Sequence, residues 1–197
     1  MNGSAPMFRA ATPDDAAALA ALVNFAGESL PLYLWGRMAE PGEDPWEIGR
    51  RRALRDAGSF SYRNATVAEI GGAVAATLNG YRLPDVPEPV DWSEMPAMFV
   101  PLQQLEDLAP GTWYVNVLAT MPEFRGRGLG TRLLRLADEF AADTAAKGLS
   151  LVVADANAGA RRFYGRCVYR EVAARPMVKD DWGGSGRNWL LLVKDLG

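Results

Sequence analysis

The chain has 197 residues, 49% of them hydrophobic, and a formal net charge of −3, enough to bury one substantial core and giving no reason to expect nucleic acid as a partner. It contains no histidine and one cysteine. That excludes Ser-His-Asp and Cys-His catalysis, His-rich or Cys-based metal sites and an internal disulfide.

The elements follow in chain order from periodicity and punctuation. Residues 1–6 lack a charged n-region and an apolar h-region, so a secretory leader is not expected. No apolar run approaches the ~20 residues that cross a bilayer, and the lone cysteine suits a reducing compartment, so the expectation is a cytoplasmic protein. Residues 8–11 read as a short strand. Thr12-Pro13-Asp14-Asp15 opens a helix whose buried stripe is Leu19, Leu22, Val23 and Ala26. A second short helix covers 32–38, and Asp44-Pro45-Trp46-Glu47 caps a third that runs to about Asp56. Residues 66–70 and 73–81 form a hairpin around Gly71-Gly72. The proline-rich stretch 82–111, with one helical turn at 102–108, is an insertion readable as a lid or as a homodimer contact.

A β-branched, apolar strand at 113–120 then reaches Pro122 and passes through Arg125-Gly126-Arg127-Gly128-Leu129-Gly130-Thr131 into a helical repeat from Arg132. This strand, glycine turn and helix leave unpaired N–H groups at a helix N-terminus, where the dipole favours an anion. Arg125 and Arg127 add positive charge, and the arrangement suits a diphosphate. A P-loop is excluded because no lysine occurs between Asp91 and Ala146. A dinucleotide fold is excluded because too few residues follow Gly130 to complete one. A second buried strand at 149–155 leads into Asn157-Ala158-Gly159-Ala160-Arg161-Arg162-Phe163-Tyr164, and strands at 170–174 and 188–193 end the pattern, joined through a loosening Gly183-Gly184-Ser185-Gly186 segment.

Arg-x-x-Gly-x-Gly, carried by Arg125, Gly128 and Gly130, resembles the signature of the GCN5-related N-acetyltransferase (GNAT) superfamily. Asn157, Ala160, Phe163 and Tyr164 are similar in order and spacing to its second motif. Val168 and Tyr169 stand where the family has Gly-Phe. The resemblance implies one GNAT domain over 1–197 of α/β class, a central mixed sheet flanked by helices with a splayed strand pair. It implies acetyl-coenzyme A as acyl donor, without a metal, and a small-molecule or peptide amine as acceptor. Leu118, Ala119 and Thr120 would hold the pantetheine arm, residues Arg125 to Thr131 (Leu129 included) the pyrophosphate, and Asn157 and Tyr164 would complete the donor site.

Tyr164 is the expected general acid, and a backbone N–H at or near Leu118 the oxyanion donor. Many family members carry a carboxylate on the central strand, but this chain has Asn116 and Val117 there. Glu28 is therefore the chosen base, with Glu69 behind it and water-relayed deprotonation open. The aromatic residues Tyr33, Trp35, Trp46, Phe60 and Tyr62 are expected near the acceptor, as an amine-binding surface or as ordinary core. The competing readings are a non-catalytic acyl-coenzyme A sensor and an interaction domain in which the glycine turn only joins elements.

Overall fold

The computed structural model describes residues 4–196, so the opening Met1, Asn2 and Gly3 of the segment read for a leader lie outside the described residues. Seven strands form a mixed sheet: β1 (Met7–Ala10), β2 (Ala65–Ile70), β3 (Ala73–Arg82), β4 (Trp113–Thr120), β5 (Gly148–Ala154), β6 (Arg170–Pro176) and β7 (Asn188–Asp195). Their order is β1-β2-β3-β4-β5-β7-β6. Six helices accompany them: α1 (Ala16–Ala26), α2 (Leu30–Met38), α3 (Pro45–Ala53), α4 (Val100–Glu106), α5 (Leu129–Asp143) and α6 (Ala158–Arg166). The chain divides into two compact units, Met1–Gly80 with Asn116–Leu136, and Tyr81–Val115 with Ala137–Gly197.

In the first unit, Gly71 and Gly72 both adopt left-handed backbone, φ 60° and 83°, which is what a two-residue hairpin turn requires. The turn sets the antiparallel register Ile70–Ala73 and, past a bulge at Ala68/Glu69, Ala68–Ala76. Helices α1 to α3 bury Leu19, Leu22, Val23, Trp35 and Ile48 with Val67 of β2 and Val117 and Ala119 of β4. The expected opening at Thr12 is a 3-10 turn, Pro13–Asp15, before α1 proper. Its Asp15 carboxylate accepts from Thr12 N–H at 2.7 Å and from Arg9 at 2.7 and 2.9 Å. Asp44 caps α3 by accepting from Trp46 N–H at 3.0 Å.

In the second unit, β4 starts parallel to β5 through Trp113–Leu149 and Tyr114–Ser150. The buried Thr112 and Ser150 hydroxyls lie 2.6 Å apart beside that pairing. β5 runs antiparallel to β7, and β7 to β6. Helix α4, inside the proline-rich insertion, packs on β5, β6 and β7. Leu105 is fully buried in a cluster with Leu83, Ala109, Tyr114 and Leu191. That part of the insertion is core and not a free lid.

The 177–188 connection also departs from expectation. The Trp182 ring stacks on Trp189 at 6.0 Å and 7°, and a Cβ on Gly184 would overlap the Trp182 ring. Glycine there permits close packing; it does not loosen the loop. Among the described residues no single helix is long and apolar enough to cross a membrane.

Candidate active site

The loop after β4 has the form that the sequence implies. Thr120 is followed by a 3-10 turn, Pro122–Phe124, and then by Gly126 and Gly128 at φ 76° and 74°. No atom lies within 4 Å of a Cβ built on either glycine, so backbone conformation and not crowding calls for glycine here. Arg132 N–H bonds back to the Gly128 carbonyl at 3.1 Å, which places the amides of Leu129, Gly130 and Thr131 in the first turn of α5. A first turn has no internal acceptors for its N–H groups. It also holds no acidic residue that would compete for them.

The Leu129 side chain is buried and anchors the turn, while Arg125 to Gly128 and Thr131 are exposed. Arg125 Nε donates to the Thr120 carbonyl at 3.3 Å, and the Arg127 guanidinium lies over the Phe124 ring at 5.3 Å. Both cations thus rest on the loop itself. An anion at the turn would have to draw them off these contacts.

Strand β4 alternates cleanly beyond its start. Val117 and Ala119 enter the first unit's core, while Asn116, Leu118 and Thr120 sit half-buried on the other face. Asn116 Nδ2 donates to the Ser59 carbonyl at 3.1 Å and to Asn79 Oδ1 at 3.3 Å. Asn79, 1% exposed, in turn donates to the Ser61 carbonyl at 3.0 Å. A carboxylate at 116 would have no hydrogen to offer either acceptor. The neutral amide ties the 59–61 segment to the sheet, which explains the departure from a strand-borne acid.

Glu28 lies between α1 and α2 at φ 51°, with Ser29 at φ 69°. It is half-buried. The connection is held by Ser29 N–H to the Asn24 carbonyl at 3.0 Å and by Leu32 N–H to Asn24 Oδ1 at 3.1 Å. Glu69 is paired with Arg9 at 2.9 Å, a counter-ion in the Asp15–Arg9–Glu69 cluster. Of the expected aromatic residues, Trp35 and Phe60 are buried. Trp35 stacks on Phe60 at 6.3 Å and meets Trp46 edge-on at 5.9 Å. Trp35 and Phe60 are ordinary core, and the half-buried Trp46 packs against it. Tyr33 and Tyr62 lie under Arg37 and Arg63 at 5.8 and 5.2 Å.

In the second unit, Asn157 caps α6, its Oδ1 accepting from Ala160 N–H at 3.0 Å. Tyr164 is 8% exposed, and burial raises its hydroxyl above the ordinary phenol range, so it is fully protonated at neutral pH. Burial likewise raises the Cys167 thiol, which argues against a reactive thiolate.

α6 ends in a Schellman motif: Tyr169 N–H reaches the Tyr164 carbonyl at 3.1 Å and Val168 N–H the Gly165 carbonyl at 3.2 Å. Val168 occupies the left-handed position at φ 61°. The turn that the family makes with glycine is kept here despite the β-branched residue. The Tyr164 and Tyr169 rings meet edge-on at 5.6 Å, the apolar contact such a cap usually brings.

Two titratable groups in the second unit have shifted protonation behaviour that the chain order does not reveal. Glu106, at the end of α4, is raised to about 7 by burial, against the opposing hydrogen bond from Tyr114 and with a further push from Asp107. Tyr114, 4% exposed, is raised by burial and then by the nearby Glu106 charge. The only sequence signal was a glutamate inside the apolar turn 102–108. Among the described residues no group of three His, Cys, Asp or Glu is placed to hold a metal ion.

The strand order and the strand–glycine turn–helix unit define an α/β acyltransferase-type fold. A family model described as the Acetyltransferase (GNAT) family matches residues 30–168, and the chain belongs to that family. An uncharacterized N-acetyltransferase of Archaeoglobus fulgidus is 36% identical over 72 residues, which cover 36% of this chain and 44% of that protein. The chain thus matches less than half the length of that relative. A solved acetyltransferase structure superposes with TM-score 0.65 at 21% identity, covering 97% of this chain and 100% of the other. An N-acetyltransferase from Staphylococcus aureus Mu50 does so at 0.64 and 19%, covering 95% and 100%. At those identities the superpositions bear on the fold alone.

Proposed function

We propose that the protein transfers an acetyl group from acetyl-coenzyme A to a primary amine of a small molecule or peptide, by direct attack in a ternary complex. One observation carries the reading: in a chain of this family, two left-handed glycines at the end of β4 deliver the amides of the first turn of α5, a turn that holds no acidic residue. In this reading Gly126, Gly128, Leu129, Gly130 and Thr131 hold the pyrophosphate through main-chain N–H groups. Arg125 and Arg127 turn onto it, and the main chain of Leu118, Ala119 and Thr120 holds the pantetheine arm.

The chemistry follows from proton bookkeeping. Only a neutral amine attacks a thioester, and a lysine-like amine with pKa ≈ 10.4 is mostly charged at pH 7. The N–H at Leu118 meets the developing oxyanion. Tyr164 gives its proton to the departing thiolate, and Asn157 supports it indirectly by capping its helix. Glu28, on the left-handed connection, is the proton acceptor that the sequence favours.

Asn116 supports a second reading, a non-catalytic acyl-coenzyme A sensor, because no carboxylate stands on β4. Calorimetry with acetyl-coenzyme A, followed by thiol release across a panel of amines, tests both. Tight binding with amine-dependent release is expected of the enzyme. Binding without release would leave the sensor, and no binding would end both readings.

A further inference from the structure

Helix α6 carries two stripes. At 3.6 residues per turn, Ala158, Arg161, Arg162 and Gly165 share one side of it, while Asn157, Ala160 and Tyr164 share another. The first stripe lines a cavity of about 340 Å³ that opens to solvent, together with Tyr169, Glu171 and Leu192. Glu171 of β6 and Leu192 of β7 are cross-strand partners, so their side chains leave the same face of the sheet. Tyr169 and Leu192, 6% and 5% exposed, give the cavity its apolar side. The Tyr169 hydroxyl is closed off from solvent and is not among the polar groups a ligand would meet. Every one of these residues belongs to the second compact unit.

The charged rim is loosely held. Arg161 donates to the Asp155 carbonyl at 3.2 Å and meets Glu171 at 3.4 Å, a long ion pair between side chains that are both half-exposed. A pair of that kind contributes little and is readily exchanged. Arg162 is exposed, and its guanidinium has no hydrogen-bond or ion-pair partner among the described residues. Two cations and one anion leave the rim with one net positive charge. A Cβ built on Gly165 meets nothing within 4 Å, so the cavity is open directly above the helix backbone.

We propose that this cavity binds a small organic monocarboxylate, its carboxylate held by Arg162 and Arg161 and its apolar body laid against Tyr169, Leu192 and Ala158. The inference goes beyond the acetyltransferase reading and does not depend on it. Three features select the ligand. A guanidinium fork matches the two oxygens of a carboxylate. A rim with one net positive charge matches a monoanion, whereas Glu171 repels the second charge of a phosphate. A volume at the lower end of the range for ligand cavities, with buried aromatic and aliphatic walls, suits a body of few atoms.

The test is a titration of the whole chain with benzoate, followed by backbone amide NMR shifts, with benzamide and inorganic phosphate as comparison probes. Benzoate should move the amides of Arg161, Arg162, Gly165 and Glu171 with a Kd of about 1–10 mM, as a ligand of so few atoms allows. Benzamide and phosphate should bind about 10-fold more weakly or not at all. Arg162→Gln should weaken benzoate by about 10-fold. Gly165→Leu should fill the cavity and abolish binding while keeping or raising Tm, since leucine is the better helix former. Glu171→Gln should tighten benzoate and admit phosphate. Acetyl-coenzyme A should leave benzoate in place. No shift at these amides, equal binding of benzamide or phosphate by the wild type, or benzoate binding kept in both Arg162→Gln and Gly165→Leu would overturn the proposal. Displacement of benzoate by acetyl-coenzyme A would overturn it too, by placing the cavity in the donor site.

Discussion

Val168 gives the sharpest stability test in the molecule. An L-residue in left-handed backbone costs roughly 1–2 kcal/mol, and a β-branched one belongs at the upper end. Val168→Gly removes that cost. It also returns freedom to the unfolded chain, worth about 0.4–1 kcal/mol in the other direction. The side chain is 71% exposed, so losing it forfeits roughly 0.5 kcal/mol on a scale of about 1.5–3 for full burial.

The balance is a net stabilisation of about 0.5–1 kcal/mol, or a rise in Tm of ~1–4 °C for a chain of this size. Thermal melts followed by circular dichroism measure it. Val168→Asn, which tolerates the left-handed region, should show a smaller gain in the same direction. A Tm that falls in both variants would refute the reasoning, since it would mean that the valine side chain contributes more by packing than its backbone costs.

Other consequences follow from the same geometry. Glu106 is held above its ordinary value, so the folded protein binds the extra proton between about pH 4.5 and 7 and loses stability as pH rises across that window. Glu106→Gln should therefore raise Tm at pH 8 and leave it nearly unchanged at pH 4.5, by thermal melts at the two pH values. Asp15 is held below the usual carboxylate range chiefly by Arg9, and its contribution should be present near neutrality and fade as acid protonates it. In Asp15→Asn, denaturant titrations should show a shallower loss of stability below about pH 4. Asn116→Asp should cost about 1–3 kcal/mol in urea unfolding, since the Ser59 carbonyl and Asn79 Oδ1 would each lose a donor. Tyr164→Phe should lower kcat by about 10²-fold with little change in acetyl-coenzyme A affinity; an equal loss in both would point to a packing role.

Local rules made much of this protein legible. Gly71-Gly72 announced a hairpin because paired left-handed residues match the twist of the strands they join. Asp44 announced a helix start because a short side-chain acceptor satisfies a first-turn amide, and it does so here. The loop after β4 was readable for the same reason: Gly126 and Gly128 adopt left-handed backbone, and glycine is what such backbone demands. Asn116 was visible as a departure, but its partners were not. Ser59 is 57 positions away and comes to it only when α3 and the following segment have packed.

What the chain order alone settled is everything with a short reach: turns, caps, strand and helix periods, and the left-handed glycine turn between β4 and α5. Tertiary packing decided the rest, because burial and long-range pairing set protonation and crowding. Glu106 became a near-neutral carboxyl only when α4 was pressed onto β5, β6 and β7 beside Tyr114. Gly184 became a seat for the Trp182 ring, and Trp35 with Phe60 became core and not a cage. A residue type states which chemistry a side chain can do; its neighbours in space determine whether that chemistry is switched on.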